Sequence, residues 1–231
     1  RTNAGPDRVS TYSKLHRLSI HGDRQLMLMT AGNLATSQAV VAQIERDLRE
    51  DADFNVAKAQ YVSDIADYVG ELGLKEQGKY TSGGPNAGFN AKASYILGGQ
   101  IKGQPTELYM VYPEGNHITS SEQYPFLQIG ETKYGKPILD RIIRPDTPHE
   151  IAMRCALVSM DSTMRSNVTV GPPIELAVYR KNTFSISCYR KFEHDDPYLL
   201  QLKASWDASL MAAFRELPRL SLETICSVPV D

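Results

Sequence analysis

The sequence is short of the features that usually announce a function. No apolar run approaches the ~18 residues that a membrane span needs, and the net charge of −2 offers no basic excess for a nucleic acid. The five histidines, His16, His21, His117, His149 and His194, are scattered, with no HxH or HxxxH pair. A metal centre is therefore not expected, and no cofactor is implied. "GGPNAG" has the glycines of a phosphate loop but not the Gly-Lys-Ser/Thr ending, and reads as a surface loop. There is no Gly-x-Ser-x-Gly elbow, no internal repeat and no low-complexity tract. The three cysteines, Cys155, Cys188 and Cys226, have no metal-like spacing and are expected to be reduced packing residues, which implies a cytoplasmic compartment.

What is present is an ordinary globular pattern. "LHRLSI" and "QLMLMT" flank the turn "HGDR" and predict a β-hairpin. Ala39, Val40, Ala42, Ile44 and Leu48 recur on a helical stripe. A second helical stripe carries Val56, Ala59, Val62, Ile65, Ala66 and Val69. Both stripes hold enough apolar positions to face a sheet and a neighbouring subunit at once. "ASYILGGQIKG" and "TELYMVYPEG" read as strands, and "NHITSSEQ" and "FLQIGET" as further β segments. Pro148 suits a helix start, with Ile151, Ala152, Cys155, Val158 and Ser159 on its inner face. "VTVGPPIELAVYRKN" and "TFSISCYRKF" read as two more strands, and "PYLLQLKASWDASLMAAFREL" as a last helix. Strands and helices come in groups, so the class is α+β.

Four stretches carry a resemblance. They are "RTNAG", "TAGNLATSQAVV", "FLQIGETKYGKPILDR" and "SMDSTMRSN". Together they resemble the proteasome β-subunit type of N-terminal-nucleophile hydrolase, and within it the bacterial proteasome-related branch called Anbu. The likeness covers nearly the whole chain. It implies a single domain over residues 1–231, built as a four-layer αββα sandwich of two antiparallel sheets flanked by helices. It also implies a first hairpin of roughly 18 residues before Arg1, with the nucleophile at its start. On that alignment Thr2 is not the nucleophile.

The resemblance assigns roles residue by residue. Lys14 is the site lysine, Gly32 the turn glycine whose N–H meets an oxyanion, and Asp161 the aspartate supporting the N-terminal nucleophile. Thr2, Asn3, Ala31 and Asn33 are the matching substrate-binding positions. There are departures too. Met164 stands where the family has a serine, and Ile129-Gly130-Glu131 stands where a serine-glycine pair is expected. Ser162, Thr163 and Ser166 offer substitute hydroxyls. Glu131, Lys133 and Arg165 line either a substrate pocket or an interface.

The implied function is a threonine peptidase that cleaves peptides or unfolded protein inside a ring or spiral of identical subunits. The alternatives are a non-catalytic assembly or gating subunit, or an amidase on a small substrate. No nucleic-acid or membrane partner is implied.

Overall fold

The structure is a computed structural model and describes residues 2–3, 9–10, 12–20, 22–81 and 90–220. The glycine-rich stretch 82–89 and Cys226 lie outside the described residues. Short strands β1 (Thr2–Asn3) and β2 (Val9–Ser10) pair with each other. The hairpin β3 (Leu15–Ile20) and β4 (Arg24–Gly32) leads into helices α1 (Leu34–Arg49) and α2 (Val62–Thr81). Strands β5 (Ala93–Ile101), β6 (Thr106–Val111) and β7 (His117–Thr119) follow, then helices α3 (Lys136–Ile142) and α4 (His149–Ser166). The hairpin β8 (Ile174–Tyr179) and β9 (Ile186–Phe192) comes next, and α5 (Pro197–Arg215) last. The α+β class follows directly from this order.

Two compact units divide the chain, residues 1–194 and 195–231. The second contains α5. Its Asp196 carboxylate accepts from Tyr198 N at 2.9 Å and Leu199 N at 3.3 Å, and Pro197 fits the first turn.

In the first unit β3 to β7 form an antiparallel sheet in sequence order. Register and side-chain alternation put Leu18, Leu26, Leu28, Tyr95, Leu97, Tyr109 and Val111 on one face. That face packs with Val40 and Ile44 of α1 and with Val62, Ile65, Ala66 and Val69 of α2. Each fully buried Leu, Ile or Val there contributes about 1.5–3 kcal/mol. A one-residue slip of β4 would turn its leucines away from the helices, so the core enforces the register.

Several expectations need correction. α2 begins at Val62, not Val56. Val56 and Ala59 are buried, but from a turn: Asn55 Oδ1 accepts from Ala57 N at 2.9 Å, an Asx bond that competes with helix. The buried guanidinium of Arg24 holds that turn, donating to Val56 O at 3.0 Å and Ala59 O at 2.9 Å. Val62, Ile65 and Val69 are all 0% exposed, so α2 has no surplus among them for a neighbour; Leu74 and Tyr80 are its exposed apolar residues. "FLQIGET" forms no strand, and "NHITSSEQ" keeps only the three residues of β7. Cys155 is buried as expected, whereas Cys188 is exposed on β9.

Small residues let α3 approach α4. A Cβ built at Gly135 would overlap the Ser159 hydroxyl and lie 3.0 Å from that of Thr163. The β8–β9 hairpin is joined to β5 through Gln100, which is 1% exposed. Gln100 Oε1 accepts from Tyr179 OH at 2.7 Å and Asn182 N at 2.8 Å. Its Nε2 donates to Gln104 O at 2.9 Å and Asn182 Oδ1 at 2.8 Å.

Candidate active site

The β4-to-α1 turn is built by capping. Asn33 is the N-cap of α1, and its Oδ1 accepts from Thr36 N at 3.0 Å. Its Nδ2 donates to Asn90 O at 2.9 Å, and Thr36 Oγ1 donates to Ala91 O at 2.9 Å. Asn33 N donates to Lys92 O at 2.9 Å. One residue earlier, Gly32 has φ +94°, a conformation costly for any residue with a Cβ. A Cβ there would overlap Lys92 O and sit 3.1 Å from Ala93 Cα. The turn therefore requires glycine on two counts.

Backbone direction then aims the Gly32 N–H. Thr30 N donates across to Lys14 O at 2.9 Å, while Asn33 N points the other way, to Lys92 next to β5. The N–H groups of an antiparallel strand alternate sides, so that of Gly32 points to the Lys14 side. Lys14 stands just before β3, opposite Thr30. It is half-buried, and desolvation lowers its ammonium pKa from the ordinary lysine value. On the same face His16 is also lowered, first by burial; Glu45 and Glu175 pull it up, and Lys14 adds to the lowering.

A second segment closes on this turn. A Cβ at Gly130 would lie 3.3 Å from Ala31 Cβ, so the loop 129–131 passes against Ala31. Glu131 Oε1 accepts from Lys133 N at 3.0 Å, and Oε2 accepts from Asn167 Nδ2 at 2.9 Å. Asn167 is the C-cap of α4, with its N donating to Thr163 O at 2.8 Å. Glu131 thus ties the loop to the end of the helix that carries Asp161.

Gly32, Ala31 and Asn33 are therefore contiguous on one turn, and Lys14, just before β3, is bonded through its backbone carbonyl to Thr30, one residue ahead of them. Asp161 sits inside α4 and does not end it. It lies five residues before Ser166, where α4 gives way to the Asn167 cap, and it is half-buried. Thr2 and Asn3 pair with Ser10 and Val9, and their side chains lie outside the described residues. Of the proposed substitute hydroxyls, Thr163 is buried and donates to Ser159 O at 2.8 Å, so it is already used. Sequence reasoning missed Ser13, which directly precedes Lys14, Glu175, which bonds Ser13, and Tyr189, which bonds Glu175. Their partners are 162 and 14 residues apart, and no local pattern flags them. Among the described residues no acidic, His or Cys group forms a metal-binding cluster, and no helix is long and apolar enough to cross a membrane.

No protein-family model and no curated protein matches the chain. Solved structures do. Anbu from Yersinia bercovieri superposes with a TM-score of 0.88 at 39% identity, covering 96% of this chain and 92% of that one. The helical assembly of the Anbu complex from Pseudomonas aeruginosa gives 0.90 at 40% identity, with 96% and 91% covered. Anbu from Hyphomicrobium sp. strain MC1 gives 0.87 at 38% identity, with 96% and 92% covered. Sequence identity at this level over nearly the full length of both chains, on one architecture, shows that the chain belongs to the Anbu (ancestral beta-subunit) family of proteasome-related proteins.

Proposed function

We propose that the chain is a proteasome-type N-terminal-nucleophile hydrolase that cleaves peptide bonds within a self-assembled homo-oligomer. The observation that carries this reading is the half-buried Lys14, with its lowered ammonium pKa, on the side to which the Gly32 N–H points. On this reading the nucleophile is a threonine outside the 231 residues of the sequence. A hydroxyl is a poor nucleophile while it holds its proton. A free α-amine, with a pKa near ~8, can take that proton directly or through water. The Lys14 ammonium favours the anionic form of a neighbouring oxygen. The attacked carbonyl becomes an oxyanion, and a preorganised donor such as the Gly32 N–H is worth roughly 3–4 kcal/mol there. Collapse to an acyl-enzyme releases the amine half of the peptide, and water then releases the acid half.

The peptide is expected to lie along Ala31–Asn33, in reach of Thr2, Asn3 and the loop at Glu131, with Asp161 supporting the nucleophile from α4. The whole is one domain, in which α1 and α2 cover one sheet and α3 and α4 the other in a four-layer sandwich. Free thiols at Cys155 and Cys188 suit a reducing cytoplasm. The helical assembly seen for the Pseudomonas aeruginosa protein supports self-association here. One observation favours the non-catalytic assembly reading. Met164 stands where the family has a serine, Ile129-Gly130-Glu131 stands where it has a serine-glycine pair, and the Thr163 hydroxyl is committed to its own helix.

The two readings part on one experiment. The full-length protein is treated with an electrophile directed at N-terminal threonine, alongside Lys14→Ala. Covalent labelling of the wild type and its loss in a folded Lys14→Ala variant is the expected result. Wild-type protein that takes no label would refute the hydrolase reading, and a variant that labels at the wild-type rate would refute the role given to Lys14.

A further inference from the structure

Ser13 directly precedes Lys14, and its hydroxyl sits between two partners. Oγ accepts from Leu15 N at 3.3 Å and has acceptors in Leu15 O at 2.9 Å and Glu175 Oε2 at 2.8 Å. A hydroxyl has one proton, and the charged carboxylate on β8 is the stronger acceptor. The other oxygen of Glu175, Oε1, accepts from Tyr189 OH at 2.6 Å. Tyr189 on β9 pairs with Ala177, so it sits diagonally across the hairpin from Glu175. The Tyr189 hydroxyl consequently titrates above its ordinary value, first because Glu175 accepts its proton. Arg17 of β3 closes the circuit, its guanidinium carbon lying 4.3 Å from the centre of the Tyr189 ring. The edge strand β3 is thus gripped at Ser13 and at Arg17 by the β8–β9 hairpin.

We propose that Glu175 is a positioning residue for Lys14: its carboxylate, steadied by Tyr189, fixes Ser13 and through it the placement of the Lys14 ammonium. This rests on reading Lys14 as the amine of the active site. Lys14 lies at the end of an edge strand, where local opening costs least. Thr30 N holds its carbonyl on one side. Without the Ser13–Glu175 bond the other side is free to swing, and the ammonium reaches bulk water. The carboxylate acts by geometry rather than by charge, because burial alone accounts for the lowered pKa of Lys14. The titratable and charged groups around this segment include His16 and Arg17 of β3, Glu45 of α1, Glu175 of β8 and Tyr189 and Lys191 of β9.

The test is the titration of Lys14 itself in full-length protein carrying isotope-labelled lysine, followed by NMR. The resonance is assigned by its disappearance in Lys14→Arg. Wild-type Lys14 is expected to titrate below ordinary lysines. Glu175→Ala and Ser13→Ala should each move it up toward them, and the double variant should move it no further. Glu175→Gln should restore the wild-type titration, since its amide can donate to Ser13 Oγ while its oxygen still accepts from Tyr189. Electrophile labelling in Glu175→Ala should drop roughly ten- to hundredfold, the scale for a misplaced reacting group. If Glu175→Ala does not fold, Tyr189→Phe and Ser13→Ala carry the same comparison. An unchanged Lys14 titration in these variants overturns the proposal. A wild type that takes no label would sink the hydrolase reading alone, because the titration still decides whether Glu175 places Lys14.

Discussion

Replacing Gly32 by alanine separates two costs that the structure assigns to this turn. The first is conformational. At φ +94° an L-residue loses roughly 1–2 kcal/mol relative to glycine. The second is steric. The new methyl would overlap Lys92 O, which is backbone and paired with Asn33 N at 2.9 Å. The overlap is relieved only by moving the turn away from β5, with loss of that hydrogen bond at about 1 kcal/mol. The total is about 2–3 kcal/mol, and for a chain of this size it lowers the melting temperature by roughly 4–12 °C. Gly103 supplies the control. Its φ is +85°, but a Cβ there meets no atom within 4 Å. Gly103→Ala should show the conformational cost alone. Calorimetric melting of both variants beside wild type tests the reasoning. Equal melting temperatures for the two would refute the steric part. Labelling should also vanish in Gly32→Ala below its melting point, because the displaced turn re-aims the Gly32 N–H, whereas Gly103→Ala should label normally.

Three further outcomes are expected. Arg24→Met strips two buried carbonyls of their donor, costing about 1–3 kcal/mol for each in urea unfolding, and Arg24→Lys should not rescue it because one ammonium does not reproduce the guanidinium's fixed fork of donors. Asp23 is held below the ordinary aspartate pKa, first by its hydrogen bond from Arg24; its stabilising contribution is therefore present above the ordinary value and lost as pH falls through the lower folded value. Asp23→Asn should flatten the stability curve from about pH 5 to about pH 2, and an unchanged slope would count against the bond. Light scattering of the full-length protein should give a mass of many chains; a mass of one or two that persists across concentration and salt would end the case for self-assembly.

Elements with a complete internal period were legible in the sequence. α1 shows its apolar stripe from Ala39 to Leu48 within one window, and the structure has a helix over Leu34–Arg49 there. Segments whose conformation is decided by a distant partner were not. Val56 and Ala59 continue the apolar spacing of α2, yet Arg24, some thirty residues earlier, captures their carbonyls and holds a turn. "FLQIGET" alternates like a strand, but Gly130 at φ +79° and the Glu131–Asn167 bond bend it across Ala31. At the candidate site, the resemblance named Lys14 and Gly32, and the sequence around them already showed the hairpin and the strand-to-helix turn on which they stand. Glu175 could not, since its relation to Lys14 exists only after β8 reaches β3.

Gln100 has a consequence for how the protein ages. Its amide uses both ends fully, accepting at the oxygen and donating at the nitrogen. Deamidation swaps that nitrogen for an oxygen and adds a negative charge. The new oxygen would face Gln104 O and Asn182 Oδ1, two acceptors, with almost no water to intervene. A change too small to alter shape would thus push the β8–β9 hairpin away from β5. That hairpin is also the part of the molecule that grips Ser13. Chemical wear at one buried amide would be passed through Tyr179, β8 and Glu175 to Ser13 and the backbone beside Lys14, while the leucine-rich core under α1 and α2 stays as it was.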